Sequence, residues 1–223
     1  MHSTGPISDA IFDLDGTLVD SAPSILLCLA EALASQGIAP MVPLSPLVIG
    51  PPLHETLRNI SGCADDKTIA AMAATFVEHY DLSGYRQTQV FAGVEAMLRD
   101  LKAAGLRLHI ATNKRLRPTQ LILSHLDWNE LFCAVYALDV RKPSFPNKGE
   151  MLDALLQAEG IAPTEAIYIG DRSDDWKAAR ANALPFIAAV WGYRDDNLLA
   201  SSESLIAAEN PADILRAIEG GKG

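Results

Sequence analysis

Short apolar runs alternate with longer amphipathic ones through most of this chain, and that alternation constrains its fold more than any other feature. Ile7–Asp13, Leu106–Thr112, Phe132–Leu138, Ala166–Gly170 and Phe186–Val190 are short, apolar and bounded by Gly, Pro or Asp, which predicts buried strands. Between them, Val94–Ala104, Pro118–Leu126, Met151–Glu159 and Asp174–Asn182 carry apolar residues at helical spacing. Strands separated by helices pair in parallel through right-handed crossovers, so the expected class is α/β with a doubly wound, three-layer core. One segment departs from the pattern. From Leu18 to Gly84 the chain reads as helices, Pro23–Gln36, Leu53–Ile60 and Lys67–Tyr80, interrupted by the Pro-rich stretch Pro40–Pro52. That block is too long for one crossover, so residues 18–84 are expected to form a small helical domain above the sheet. Residues 1–17 and 85–223 would then make the core.

Composition narrows the function classes. The 223 residues are 49% hydrophobic and 21% charged, enough apolar content for a real core. Eighteen basic side chains against 28 acidic ones give a net charge of −10, which argues against nucleic acid as the main partner. No apolar run reaches the roughly 18 residues of a membrane span, and Glu31 breaks the best early stretch. Met1–Ser8 lacks a basic region followed by an apolar one, so no secretory leader is expected. Cys28, Cys63 and Cys133 are scattered and show neither metal spacing nor a disulfide framework, which fits a reducing cytoplasm.

Open α/β sheets bind ligands at the carboxyl ends of their strands, where strand order reverses. Reading those ends collects one kind of chemistry. The first strand ends in Asp13-Leu14-Asp15-Gly16-Thr17-Leu18, the second in Ala111-Thr112-Asn113-Lys114 and the fourth in Gly170-Asp171-Arg172-Ser173-Asp174-Asp175. Lys142 and Lys148 follow the third. Asp13, Asp15, Asp171 and Asp175 would form a dense negative cluster, costly without a hard cation such as Mg²⁺, which binds carboxylates, water and phosphate oxygens. Thr112 and Asn113 offer a hydroxyl and backbone N–H groups to a phosphate at a helix start. Each element has a plain structural alternative: an Asx turn for D-x-D-G, a helix cap for Thr112, helix-dipole pairing for Asp174 and Asp175.

Taken in this order, the elements resemble the haloacid-dehalogenase superfamily of phosphohydrolases over essentially the whole chain. Asp13–Leu18 matches the first motif, D-x-D-G-T-L; His109–Lys114 matches the apolar strand ending in Thr or Ser. Gly170–Asp175 matches G-D-x-x-x-D, and Phe91-Ala92-Gly93-Val94 resembles the return to the core. The likeness implies a three-layer Rossmann-like core with an α-helical cap inserted after the first strand, and it is strongest to phosphoglycolate phosphatases. It further implies an Mg²⁺-dependent phosphatase acting on a small phosphorylated metabolite, phosphoglycolate-like, through an aspartyl phosphate. Asp13 would be nucleophile, Asp15 general acid and then base, and Thr112, Asn113 and a lysine would bind the phosphoryl oxygens. The metal would be held by Asp13, the backbone carbonyl of Asp15, and Asp171, with Asp175 in support. A monomer or homodimer is expected, without nucleic acid or membrane.

Two lysines compete for the third motif. Lys142 lies in Arg141-Lys142-Pro143, a common form, whereas Lys148 opens Lys148-Gly149-Glu150. Asn147 and Glu150 have capping-box spacing, making Lys148 the first helical residue. A cation there opposes the helix dipole, which is understandable if it serves Asp13 and the phosphoryl group. Spacing to the fourth motif also favours Lys148. His54 and Arg58 are candidate substrate contacts of the cap, weighed against solvated surface. His79, His109 and His125 read as core or surface residues and the tryptophans as packing; the cluster Lys114, Arg115 and Arg117 reads by default as a solvated helix start, although it lies on the phosphate side of the sheet. A phosphosugar mutase shares every motif. A true dehalogenase is disfavoured by Asp15, and a non-catalytic phosphate-binding module by two adjacent acids facing an anion. A nucleotide-binding Rossmann domain is disfavoured because no G-x-G-x-x-G follows strand one.

Overall fold

Strand β1 (Asp9–Phe12) sets the position of everything else, because all four of its residues are buried on both faces. The computed structural model describes residues 6–193, Leu198 and residues 205–220. In it β1 pairs in parallel with β4 (Arg107–Thr112) on one side and β6 (Ala166–Gly170) on the other. The sheet is completed by β5 (Ala134–Ala137), β7 (Phe186–Ala189) and β8 (Ile206–Ala208), in the order β5-β4-β1-β6-β7-β8 and all parallel. Phe12 is in register with both Ile110 and Ile169, so the three central strands finish side by side. Strand order reverses at β1. The class is α/β, with helices on both faces of the sheet.

Alternation along the strands divides the core into two layers. Ala10, Phe12, Leu108, Ile110 and Ile169 face α4 (Val94–Ala103), α5 (Leu116–His125) and α8 (Asp213–Gly220). Ile11, Ala111 and Tyr168 face α6 (Lys148–Glu159) and α7 (Ser173–Ala181). A third apolar cluster belongs to α1 (Ala22–Ser35), α2 (Leu53–Ser61) and α3 (Asp66–Leu82), which bury Leu29, Leu33, Leu57, Ile60, Met72 and Phe76 among themselves. Two short strands, β2 (Val19–Asp20) and β3 (Gln89–Val90), form an antiparallel ribbon where this helical block leaves and rejoins the sheet. Among the described residues no helix is long and apolar enough to cross a membrane.

Several boundaries differ from the sequence expectations. The first strand is shorter than Ile7–Asp13, although the Asp13 N–H still bonds the Ile169 carbonyl of β6 at 2.9 Å. Helix α5 begins at Leu116, not Pro118, since a Pro in the first turn gives up only an N–H that has no helical partner. Helix α6 begins at Lys148, capped by Asn147, whose Oδ1 accepts the Glu150 N–H at 2.9 Å. The ribbon and β8 carry too few residues to show a strand period. His109 lies inside the sheet, fully buried, with Nε2 2.8 Å from Asp9 Oδ1 at the end of the sheet away from the strand carboxyl ends.

Candidate active site

Four side chains meet where β1 and β6 end. Asp13 directly follows β1, Asp171 follows β6, Asp175 lies in the first turn of α7, and Lys148 opens α6. The three aspartates are buried, and each offers a carboxylate oxygen within 4.8 Å of the others. Lys148, also buried, places Nζ 3.3 Å from Asp13 Oδ2 and 2.5 Å from Asp175 Oδ1. Asp171 accepts from the Thr17 hydroxyl at 3.2 Å and from the Tyr193 N–H at 2.8 Å. Asp175 Oδ2 accepts the backbone N–H groups of Asp171 and Arg172, at 3.1 and 3.0 Å, so it holds the turn that presents Asp171. The Tyr168 hydroxyl lies 3.2 Å from Asp175 Oδ1 and 2.9 Å from the Ala111 carbonyl.

Two glycines make this crowding feasible. Gly16 has φ +87°, and a Cβ there would come within 2.3 Å of Asp171 Oδ2, so a side chain would be both strained and blocked. At Gly170 the space is taken by another acid. A Cβ would lie 2.5 Å from the Asp175 side chain, so the glycine makes room for that acid.

Burial raises the pKa of Asp13, against the opposing charge of Lys148. Burial and the neighbouring acids push Asp171 well above the carboxylate range. Asp175 is pushed up to about 7, burial again being the main cause and Lys148 the chief opposing one. Burial works to lower the Lys148 ammonium, but Asp13 and Asp175 together raise it well above its ordinary value. Three carboxylates against one ammonium leave a deficit of two positive charges when all are ionised. Asp13 Oδ1 is buried and, among the described residues, has no hydrogen-bond partner. An unpartnered carboxylate oxygen in an all-oxygen, doubly negative pocket fits a hard divalent cation such as Mg²⁺.

Asp15 stands apart from that triad. Its carboxylate lies 3.0 and 3.1 Å from Lys114 Nζ and accepts from the Ser21 hydroxyl. Its expected part in holding a metal concerns its backbone carbonyl, and the carboxylate is separately engaged. Thr112 is buried at the end of β4, where its Oγ1 accepts the Lys114 N–H at 3.2 Å. The side-chain amide of Asn113 is engaged within the protein. Nδ2 donates to the Gly50 carbonyl at 3.0 Å and to Asp174 Oδ2 at 3.1 Å, tying the loop before α2 to the sheet edge.

The structure also locates the remaining candidates. Lys142 is exposed, outside the cluster that Lys148 enters. His54 is exposed, and Arg58 pairs with Asp66 and donates to the Ala64 carbonyl on the outer side of the helical block. Lys114 is not a solvated residue. It is buried between Asp15 and the Tyr80 hydroxyl, 2.9 Å away, and its position directly after Thr112-Asn113 is the signal that could have found it. Arg115 pairs with Asp81. Tyr193 was invisible in the sequence: its hydroxyl accepts the N–H groups of Ser21 and Ala22, both at 2.8 Å, and donates to Asp20.

Comparison with known proteins places this geometry in a family. The model of haloacid dehalogenase-like hydrolases matches residues 10–189. A phosphoglycolate phosphatase of Xanthomonas campestris pv. campestris (strain 8004) is 36% identical over 211 residues, covering 90% of this chain and 92% of that protein. Tyrosine-protein kinase PtkA of Mycobacterium tuberculosis is 32% identical over 209 residues, 92% of this chain and 70% of that protein. The crystal structure of a "predicted phosphatase" from Clostridium acetobutylicum superposes with a TM-score of 0.87 at 27% identity, over 97% of this chain and all of that one. The chain belongs to the haloacid dehalogenase-like hydrolase family, as an enzyme of its phosphoglycolate phosphatase-like branch.

Proposed function

We propose that the chain, a phosphoric monoester hydrolase, cleaves a small-molecule phosphomonoester through an aspartyl phosphate on Asp13, with Mg²⁺ in the Asp13–Asp171–Asp175 pocket. The observation that carries this reading is Asp13 itself: one oxygen beside the Lys148 ammonium, the other buried without a partner. Asp13 attacks phosphorus, and the bond to the leaving oxygen breaks as Asp15 delivers its proton to that oxygen. Asp15 then takes a proton from the water that attacks the same phosphorus, which frees phosphate and regenerates the Asp13 carboxylate. Lys148 holds Asp13 in place and offsets charge on the phosphoryl oxygens, with Thr112 and the backbone beyond β4 as further donors. Mg²⁺, when bound by Asp13, Asp171 and the backbone carbonyl of Asp15 with Asp175 in support, neutralises and orients the phosphoryl group.

In this reading residues 18–84 act as a cap over a core of residues 1–17 and 85–223, excluding water and shaping the leaving-group pocket. The three free thiols fit action in a reducing cytoplasm. Phosphate release should be followed with and without Mg²⁺ over acetyl phosphate, phosphoglycolate, sugar phosphates, nucleotides and pyrophosphate. Mg²⁺-dependent release from monoesters supports the reading; release that persists undiminished in EDTA overturns it.

A further inference from the structure

A cavity leads from Asp13 and Asp15 into the helical block, and its chemistry is unlike that of its floor. It is a half-open cleft, with about 650 Å³ of free space once the adjoining solvent at its mouth is counted. Ile25 and Leu29 of α1, Ile49 and Leu53 around the start of α2, and Phe76 of α3 form its walls. Two cations also line it, but both are committed within the protein. Lys114 bridges Asp15 and the Tyr80 hydroxyl, and Arg115 donates to both oxygens of Asp81, at 2.6 and 3.1 Å. Thr56 donates to the Pro51 carbonyl at 3.2 Å, and the Asn113 amide is taken by Gly50 and Asp174.

A leaving group bound here exchanges water for aliphatic and aromatic surface. A carboxylate would lose its hydration and, among the described lining residues, find no cation that is not already paired, which is costly. An uncharged hydrocarbon group gains from the same exchange. Resting on the phosphatase reading of Asp13, we propose that the substrate is the phosphate monoester of an apolar alcohol or phenol without a second charge, selected by this wall. Glycolate and polyhydroxylated leaving groups suit it poorly. A second, more polar cavity lies beyond Asn113, with Lys148, Asp174 and Lys177 on its lining. It is the place where a charged leaving group would be received if the apolar chamber were not used.

The test is kcat/KM of the full chain with Mg²⁺ for ethyl, butyl, benzyl and phenyl phosphate, 2-phosphoglycolate and glycerol 3-phosphate. Acetyl phosphate, an activated acyl phosphate that expels only the small acetate ion, serves as a probe that makes little demand on the chamber. Hydrophobic pockets discriminate by about tenfold or more per methylene-sized increment, so values should climb from ethyl to butyl or benzyl and exceed phosphoglycolate by at least about tenfold. The alkyl and aryl arms show which apolar class fits. Leu53→Lys should narrow or invert the ratio of benzyl phosphate to phosphoglycolate. If that variant does not fold, the wild-type ranking decides. Turnover of acetyl phosphate together with a preference for phosphoglycolate or glycerol 3-phosphate overturns this inference and leaves the phosphatase reading standing. Release from none of the esters, acetyl phosphate included, overturns both.

Discussion

Lys114 Nζ lies 3.0 Å from Asp15 Oδ2 and 3.1 Å from Oδ1, and the same ammonium meets the hydroxyl of Tyr80 from the helical block. Asp15 has only 13% of its side chain exposed, so this pair fixes where the acid points in a half-enclosed space. The contact joins the strand-end chemistry to α3, and with it the position of the helical block.

Lys114 is therefore a positioning residue for Asp15. Lys114→Met should lower kcat by about 10²-fold, the usual size of a general acid–base contribution. The loss should be larger for an alkyl phosphate, whose leaving oxygen needs a proton, than for p-nitrophenyl phosphate, whose leaving oxygen does not. Comparing the two esters checks it, because a merely structural defect would reduce both in proportion.

Lys148 faces a different demand, since its ammonium lies between two buried carboxylates. Lys148→Met should reduce turnover by about 10³-fold, whereas Lys142→Met, on an exposed loop, should leave most of it. Removing one partner of a buried ion pair costs about 3–5 kcal/mol, so the Lys148 variant should also unfold at lower temperature without Mg²⁺. The reverse pattern in assays of the two variants would move the role to Lys142.

Asp175 makes the metal response depend on pH. Its pKa in the folded, metal-free protein is about 7 against an ordinary 3.8, with burial as the main cause. Between those values the folded state holds a proton that the unfolded chain has released, so metal-free stability falls as pH rises through this window. Mg²⁺ must displace that proton, and its apparent affinity should strengthen as pH rises through this window. Thermal unfolding with Mg²⁺ titrated at about pH 5.5 and about pH 8 checks this. The expected rise in Tm is larger at the higher pH, and equal rises at both would contradict it.

The layered sheet, the helical block and the acids at the strand ends were legible because each leaves a local trace: an apolar run, a helical period, a turn glycine beside an aspartate. Asn147 and Glu150 likewise pointed to the start of α6, although nothing in one dimension showed that Lys148 would reach Asp175 in the neighbouring helix. What the sequence hid depends on long-range partners. Lys114 looks like one member of a solvated basic cluster until Tyr80, 34 residues earlier, closes over it. Tyr193 acquires its place only through Asp20 and the backbone of Ser21, more than 170 residues away. Arg58 has the residue type of an anion-binding group, but helix α2 turns it toward Asp66, and Leu53 and Thr56 face the cavity instead.

The central claim is that Asp13 carries the phosphoryl group. It is tested by acid-quenching the enzyme during Mg²⁺-supported turnover, reducing with borohydride and sequencing the peptides by mass spectrometry, since reduction converts an aspartyl phosphate to homoserine. The account predicts homoserine at position 13 in the wild type, none in Asp13→Asn, and at least about a 10³-fold loss of turnover in that variant. Homoserine at another aspartate, or undiminished turnover without Asp13, would contradict it.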